Sequence, residues 1–164
     1  MMFTTTLLLA TLAAGPLPPQ QPDAFRAATA HLDRALDLLL AEGASSDEMK
    51  AGFLALLDAM AETAPPSSGP GGTCGARFAV ARLRMGDGSI LDEAGVSLLA
   101  ECYRETHDGR AFAVPGTVRS VADARQHVRR QIESAQTLLR EGRSREAVAV
   151  LLDATMLIVT PMER

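Results

Sequence analysis

The stretch "AQTLLREGRSREAVAVLLDA", residues 135–154, is the part of the sequence that decides the fold class. On both sides of Gly142 its apolar residues recur every three or four positions, which is the spacing of one face of an α-helix. A glycine at such a junction is typical of the end of a helix, because it tolerates the left-handed backbone conformation. The stretch therefore predicts two helices that fold back on each other at Gly142.

Helical spacing continues along most of the chain. Ser45 with Glu48, and Ser120 with Asp123, form the capping patterns that open helices. The segment "ARFAVARLRM", residues 76–85, fits either a strand or a short helix, and we favour the helix because a lone strand would have no partner. The pattern predicts helices over residues 23–42, 46–63, 76–85, 89–106, 120–141 and 144–159.

Together these helices predict an all-α protein, a compact bundle of five or six helices in which two helical hairpins flank a middle segment. Residues 23–164 would form a single helical domain. "LLLAEG" and "LLDAM" in the first hairpin echo "TLLREG" and "LLDAT" in the second. Duplication produces such echoes, but Leu- and Ala-rich hairpins also converge on them, and the sequence leaves both explanations open. In the fourth helix the residues expected to face the core are Leu91, Ala94, Leu98 and Cys102.

Composition excludes several classes of function. Hydrophobic residues make up 47% of the 164 residues and charged residues 22%, so the chain has enough apolar side chains for a real core. Aromatic residues make up only 4% and Trp is absent, which argues against surfaces that stack nucleic-acid bases. The net charge of −4 gives no overall attraction to nucleic acid or to anionic membranes. We therefore expect no nucleic-acid partner.

Residues 1–15 have the features of a signal peptide, an apolar run followed by small residues, and residues 16–22 form a Pro-rich linker. No Lys or Arg precedes the apolar run, so a disordered tail or a first helix within the core is the alternative. The run is too short to span a bilayer, which needs about 20 apolar residues. We therefore expect no membrane span and a periplasmic or secreted location.

The two cysteines, Cys74 and Cys102, predict a disulfide if the chain is exported. Closing the loop between them would contribute about 3–4 kcal/mol in the chain-entropy model. The alternative is two unrelated thiols, since Cys102 falls on an apolar helical face where a buried thiol is ordinary.

The opening stretch resembles one unit of the tetratricopeptide family. The matching positions, where that family places small, large, Gly, Ala, large and Ala residues, are Ala135, Leu138, Gly142, Ala147, Leu151 and Ala154. The family's Pro would fall at Val159, whereas this chain has Pro161. Such units need at least about three copies to bury a continuous core, so a compact bundle is predicted rather than a solenoid. The resemblance implies interaction with another protein.

No catalytic signature is present, and we predict no catalytic residue, metal ligand or cofactor. The sequence lacks His-Glu-x-x-His, Cys-x-x-Cys and Gly-x-Ser-x-Gly motifs. A site assembled from scattered residues would leave no such motif, so sequence reasoning leaves the question of an enzyme open.

One segment is basic although the chain as a whole is acidic. Residues 119–145 contain seven arginines and three acidic residues, a net charge of +4. Arg125, Arg129 and Arg140 fall near one side of the predicted helix, where they would bind an acidic partner or anionic lipid headgroups. The alternative is a solvated face with intrahelical pairs such as Arg129 with Glu133.

These observations favour a small exported helical interaction or structural module without catalysis, whose partner is another protein. The alternative function is a helical bundle that binds haem non-covalently or a metal ion. The residues that would serve are His31 or His127 with a methionine such as Met60 or Met156.

We predict that the mature protein begins near Gly15, because cleavage follows the small residues after the apolar run. Mass spectrometry of the protein purified from its native source checks this. The variant Leu8→Arg, which places a charge within the apolar run, should keep its N-terminus. An intact Met1 or Met2 in the wild-type protein would contradict the prediction.

Overall fold

A computed structural model describes residues 21–64, 74–85 and 90–161, which contain six α-helices and no β-strand. The prediction of an all-α bundle is confirmed, including the choice of a helix over a strand in the middle segment. The helices are α1 (Gln21–Leu39), α2 (Ser46–Thr63), α3 (Cys74–Leu83), α4 (Glu93–Thr106), α5 (Val121–Arg140) and α6 (Ser144–Val159).

The predicted signal peptide and residues 16–20 of the predicted linker lie outside the described residues. Gln21 and Pro22, which sequence analysis placed at the end of that linker, are the first residues of α1. Proline is tolerated in the first turn because the N–H that it lacks would have no helical partner there. Within the described ranges, none of the helices has the length and apolarity that crossing a bilayer requires.

Side chains cap α2 and α5 where the sequence predicted capping. Ser45 and Glu48 form a reciprocal capping box at the start of α2, and Ser120 accepts from the backbone N–H of Asp123 at the start of α5. The prediction for α4 is wrong, because this helix begins at Glu93 rather than at residue 89. Its cap is Asp92, whose carboxylate accepts from the Gly95 N–H at 2.8 Å and favours the positive end of the helix.

The corners of the two hairpins share one backbone conformation. Gly43 after α1 and Gly142 after α5 have φ values of +72° and +74°. At the second corner Gly142 donates to the Leu139 carbonyl and Arg143 donates to the Leu138 carbonyl, at 3.0 and 2.9 Å. These two bonds form a Schellman motif, which satisfies the last carbonyls of α5 and confirms the predicted corner.

The helices form two layers of three. One layer has the order α1, α2, α3 and the other has the order α5, α6, α4, and across the layers α1 contacts α5, α2 contacts α6 and α3 contacts α4. Because α2 and α6 occupy the middle of their layers, neighbours surround both. Eight residues are buried in each of these two helices, against four in α5 and three in α3. The pair formed by α2 and α6 is therefore the centre of the core.

Two of the echoing strings, "LLDAM" and "LLDAT", lie in this central pair. Leu56 and Leu57 of α2 are buried, as are Leu151 and Leu152 of α6, and in each helix the aspartate that follows is only half-buried. The Thr155 hydroxyl lies 3.7 Å from the sulfur of Met60, where it contacts α2 within the core. The two strings therefore have the same pattern of burial in the two layers.

The core face of α4 differs from the expected one. Ala94 is exposed and Leu98 is half-buried, whereas Gly95, Leu99, Cys102 and Tyr103 are buried. Gly95 is required at its position because a Cβ atom there would lie only 2.6 Å from the Leu91 side chain. The later start of the helix places Leu91 before its first turn, where it covers the end of the helix.

A disulfide joins Cys74 to Cys102, as predicted, with 5.6 Å between the Cα atoms. Cys74 is the first residue of α3 rather than part of the preceding loop, so the bond links α3 directly to α4. Next to it Arg77 forms ion pairs with Glu105 at 2.6 Å and with Glu101 at 3.4 Å. The covalent bond and the two ion pairs together hold α3 against α4 at the edge of the bundle.

Burial predicts how leucine truncations change stability. Leu151→Ala should lower the free energy of unfolding by about 2–5 kcal/mol, because this fully buried side chain lies in the central helix α6. The matched control is Leu83→Ala, since Leu83 is 85% exposed and its truncation should change stability by no more than about 0.5 kcal/mol. Chemical denaturation measures both. Equal effects of the two changes would contradict the assigned core.

Candidate functional site: a polar cleft and an arginine face

A cleft of about 400 Å³ opens between the C-terminal end of α4, the connector from α4 to α5, and the helices α5 and α6. Its walls contain five polar and four small apolar residues. They are Tyr103, His107, Arg110, Gln131 and Asp153, with Ala111, Ala113, Ala149 and Val150. We call this site the polar cleft.

Asp153 is the negatively charged residue of the polar cleft. It lies on α6 and its side chain is 19% exposed. His127 of α5, with a side chain that is 15% exposed, places Nε2 3.0 Å from Asp153 Oδ2. Gln131, one turn further along α5, donates its amide to the same oxygen. Two side chains of α5 therefore hold the carboxylate in a fixed position, and Oδ1 accepts from neither of them.

Tyr103 forms the aromatic part of the cleft. Its ring stacks on His107 with 3.8 Å between the centroids, and Phe112 meets it edge-on at 5.4 Å. His107 in turn donates from Nδ1 to the backbone carbonyl of Tyr103 at 2.9 Å, which fixes its ring at the end of α4. The stack therefore holds the phenol next to α6.

The environment of Tyr103 raises the pKa of its phenol above the ordinary value. Burial is the largest cause, because it disfavours the charged phenolate. The negative charge of Asp153 and a hydrogen bond to it raise the pKa further, whereas the positive charge of Arg110 lowers it. The hydroxyl therefore lies within the influence of both charged residues of the cleft.

The reversal of the chain after α4 brings Arg110 to the rim of the cleft. Asp108 and Gly109 both have positive φ values, of 53° and 78°, and Gly109 donates to the Arg104 carbonyl at 2.8 Å. Arg110 then donates from Nε to the His107 carbonyl at 3.2 Å. This bond holds the guanidinium at the edge of the cleft while most of the side chain faces solvent.

The histidines proposed for haem or metal binding each contact a carboxylate in the structure. His31 lies 3.2 Å from Glu62, whereas His127 contacts Asp153. Met60 and Met156 are buried in the core and do not line the polar cleft. Within the described ranges, no group of three or more His, Cys, Asp or Glu side chains has an arrangement that could hold a metal ion.

The arginines predicted to bind a partner lie on the outer side of α5. Arg125, Arg129 and Arg140 are exposed, and Arg130, which sequence analysis did not single out, is exposed beside Arg129. Arg140 donates to the Thr137 hydroxyl. We call Arg125, Arg129, Arg130 and Arg140 the arginine face. Among the described residues none of its members forms an ion pair, and this includes the pair that had been considered between Arg129 and Glu133.

The two sites offer different chemistry. The polar cleft combines hydrogen-bond donors and acceptors with one negative and one positive side chain, which suits a small polar molecule. The arginine face offers guanidinium groups, which pair with carboxylates through two parallel hydrogen bonds. Both arrangements are suited to binding.

Sequence reasoning found the arginine face and missed the polar cleft. Sequence analysis singled out neither Asp153 nor Tyr103. A charged residue within the apolar stripe of a helix is a signal that could have been followed, because such a residue needs partners when the helix is buried. The identities of those partners, His127 and Gln131, depend on how α5 packs on α6.

Comparison of the chain with models of protein families, with curated proteins and with solved structures finds no match. The functional interpretation therefore depends on the geometry of these two sites.

Titration of Tyr103 tests the geometry of the polar cleft directly, because the chain has one tyrosine and no tryptophan. The ultraviolet absorbance of tyrosinate should report a pKa above the ordinary value of about 10. The phenol of the unfolded chain loses its proton at a lower pH than the phenol of the folded chain does. The free energy of unfolding should therefore fall as the pH rises above about 10.

Asp153→Asn should lower the pKa of Tyr103, because it removes a negative charge that disfavours the phenolate. Asp58→Asn is the matched control, since Asp58 has the equivalent place in α2 and pairs with Arg82 instead. A pKa that does not respond to Asp153→Asn, or that responds equally to both changes, would contradict the described contact.

Proposed function

We propose that this chain is a small exported helical module that binds another protein through the arginine face, without catalysis of its own. The Cys74–Cys102 disulfide supports export, because disulfides form and persist in oxidising compartments such as the periplasm and the exterior of the cell. The resemblance of the hairpin formed by α5 and α6 to a tetratricopeptide unit supports interaction with a protein.

The separation of charge along the chain carries the proposal. Residues 119–145 have a net charge of +4 in a chain of −4, which leaves −8 for the remainder. Within the basic segment Arg143 is paired with Glu141 and Glu146. Four of the other six arginines lie on α5, against Asp123 and Glu133 on the same helix. Such a basic patch on an acidic protein orients a negatively charged partner toward one surface.

The spacing of the arginine face suits an extended acidic segment. Arg125 and Arg129 are one turn apart, and Arg140 lies about 17 Å beyond Arg129 at 1.5 Å per residue along a straight helix. A partner with several carboxylates along its surface would reach these guanidinium groups without any change in α5. Exposed pairs of this kind contribute little individually, so specificity would come from engaging several together.

An acidic protein fits this surface better than a membrane does. Helices that lie on bilayers insert an apolar face while basic residues contact the headgroups. The apolar face of α5 is occupied by the core, since Val128, Ile132, Ala135 and Leu139 are all buried. Because that face is not available for insertion into a bilayer, only electrostatic attraction to the headgroups would hold α5 on a membrane.

Charge reversal tests the proposal, with poly-L-glutamate as the acidic probe. The double variant Arg125→Glu/Arg129→Glu should weaken binding at low salt by at least about tenfold, because two attractive contacts become repulsive. Binding of the wild-type protein should also fall as NaCl is added, since these contacts are exposed and screened.

The matched control is Arg26→Glu/Arg34→Glu, which changes the net charge by the same amount at two exposed positions on α1. It should bind the probe nearly as well as the wild-type protein does. Equal loss in both double variants, or no binding by the wild-type protein at low salt, would overturn the proposal. Binding to phosphatidylserine vesicles without binding to poly-L-glutamate would replace the acidic protein with a lipid surface.

A further inference from the structure

The polar cleft has the size and the walls of a site for a small molecule. Its volume of about 400 Å³ lies toward the lower end of the range for ligand sites, which is about 300–1,000 Å³. Ala111 and Ala113 come from the connector, and Ala149 and Val150 come from α6. These short side chains leave room between the polar groups and offer apolar contact to a ligand of a few carbon atoms.

Two side chains of α5 hold Asp153 in place before any ligand binds, and Arg110 has one backbone partner. Asp153 accepts from His127 and Gln131 through Oδ2, and the phenol of Tyr103 also hydrogen-bonds to this carboxylate. Because a carboxylate has about four acceptor positions, Asp153 keeps the capacity to accept from a ligand. Arg110 is anchored through Nε to the His107 carbonyl, and a guanidinium has four further N–H donors. Such preorganisation lowers the entropic cost of binding.

Asp153 and Arg110 are the two charged side chains that line this small cleft, and their opposite charges select for a ligand with complementary charges. A ligand with only a negative group would face repulsion from Asp153, and one with only a positive group would face repulsion from Arg110. A dipolar molecule with no net charge satisfies both. Tyr103 is consistent with this arrangement, because the charges of Asp153 and Arg110 both act on the pKa of its phenol.

We propose that the polar cleft binds a free amino acid, whose ammonium group contacts the Asp153 carboxylate and whose carboxylate contacts the Arg110 guanidinium. The apolar wall formed by the alanines and Val150 receives a short aliphatic side chain. This inference is independent of the arginine face, which lies on the outer side of α5.

Tyr103 provides the measurement, since it lines the cleft and is the only tyrosine in a chain without tryptophan. Titration of the full chain with free alanine, valine and leucine should change the tyrosine fluorescence in a saturable way. The N-acetylated form of the same amino acid should bind at least about tenfold more weakly, because it has lost the ammonium group that contacts Asp153.

Two variants of the cleft and one control locate the site. Asp153→Asn and Arg110→Gln should each weaken binding by about 10- to 100-fold, as the loss of a hydrogen bond to a charged group does. Arg104→Gln is the matched control, because Arg104 is exposed on α4 and does not line the cleft. It should bind as the wild-type protein does.

An amino acid that carries an amide instead of its carboxylate shows whether Arg110→Gln weakens binding through the lost contact with the carboxylate or through a change in folding. This ligand should bind the wild-type protein weakly, and Arg110→Gln should weaken it no further, because the contact is already absent. Binding to none of the three amino acids at about 10 mM, well above a Kd of about 1 mM, would overturn the proposal. Binding that survives both cleft variants, or that is unchanged by N-acetylation, would overturn it equally.

Discussion

The contact between α2 and α6 is the constraint on which the rest of this structure depends. Both helices are apolar around most of their circumference, and each buries eight residues. A helix of this kind must be covered on several sides, because apolar surface left in water costs about 25 cal/mol per Å². Two such helices packed against each other need one neighbour on each flank. The arrangement of α1 and α3 beside α2, and of α5 and α4 beside α6, follows from this requirement.

The same constraint explains why polar groups converge beside α6. Its central position leaves little contact with water, so a carboxylate on this helix needs partners from the helices that cover it. Asp153 finds them in His127 and Gln131 of α5, and the single tyrosine of α4 lies on its other side. Asp58, at the equivalent place in α2, pairs instead with Arg82, which is half exposed. The equivalent aspartates of the two layers therefore have different partners, and only the partners of Asp153 belong to the polar cleft.

The parts of the structure that sequence reasoning predicted are those set by nearby residues. The presence of six helices, the corner at Gly142 and the caps at Ser45 and Ser120 each depend on a few neighbouring positions, and all were predicted correctly. The start of α4 was placed at residue 89, whereas Asp92 caps the helix in the structure by accepting from the Gly95 N–H. The disulfide was predicted from the even count of cysteines together with the expected export.

The layers and the polar cleft could not be predicted, because they depend on contacts between helices far apart in the sequence. Periodicity indicates which face of a helix is buried, but it does not indicate which helix covers that face. The contact between Asp153 and His127 requires α5 to pack on α6 in one register, and Arg110 reaches the cleft only because the connector reverses at Asp108 and Gly109. Arg125, Arg129 and Arg140 could be placed on one side of α5 because residues within one helix have fixed relative positions.

Native-state hydrogen exchange of the backbone amides tests the central position of α2 and α6 most directly. Amides in the centre of a core exchange only through the largest unfolding events, whereas those of covering helices also exchange through smaller ones. We predict that the slowest exchange occurs in α2 and α6, around Leu56 and Leu151, and that α1, α3 and α5 exchange faster. Slowest exchange in α1 or α5, with faster exchange in α2 and α6, would contradict it.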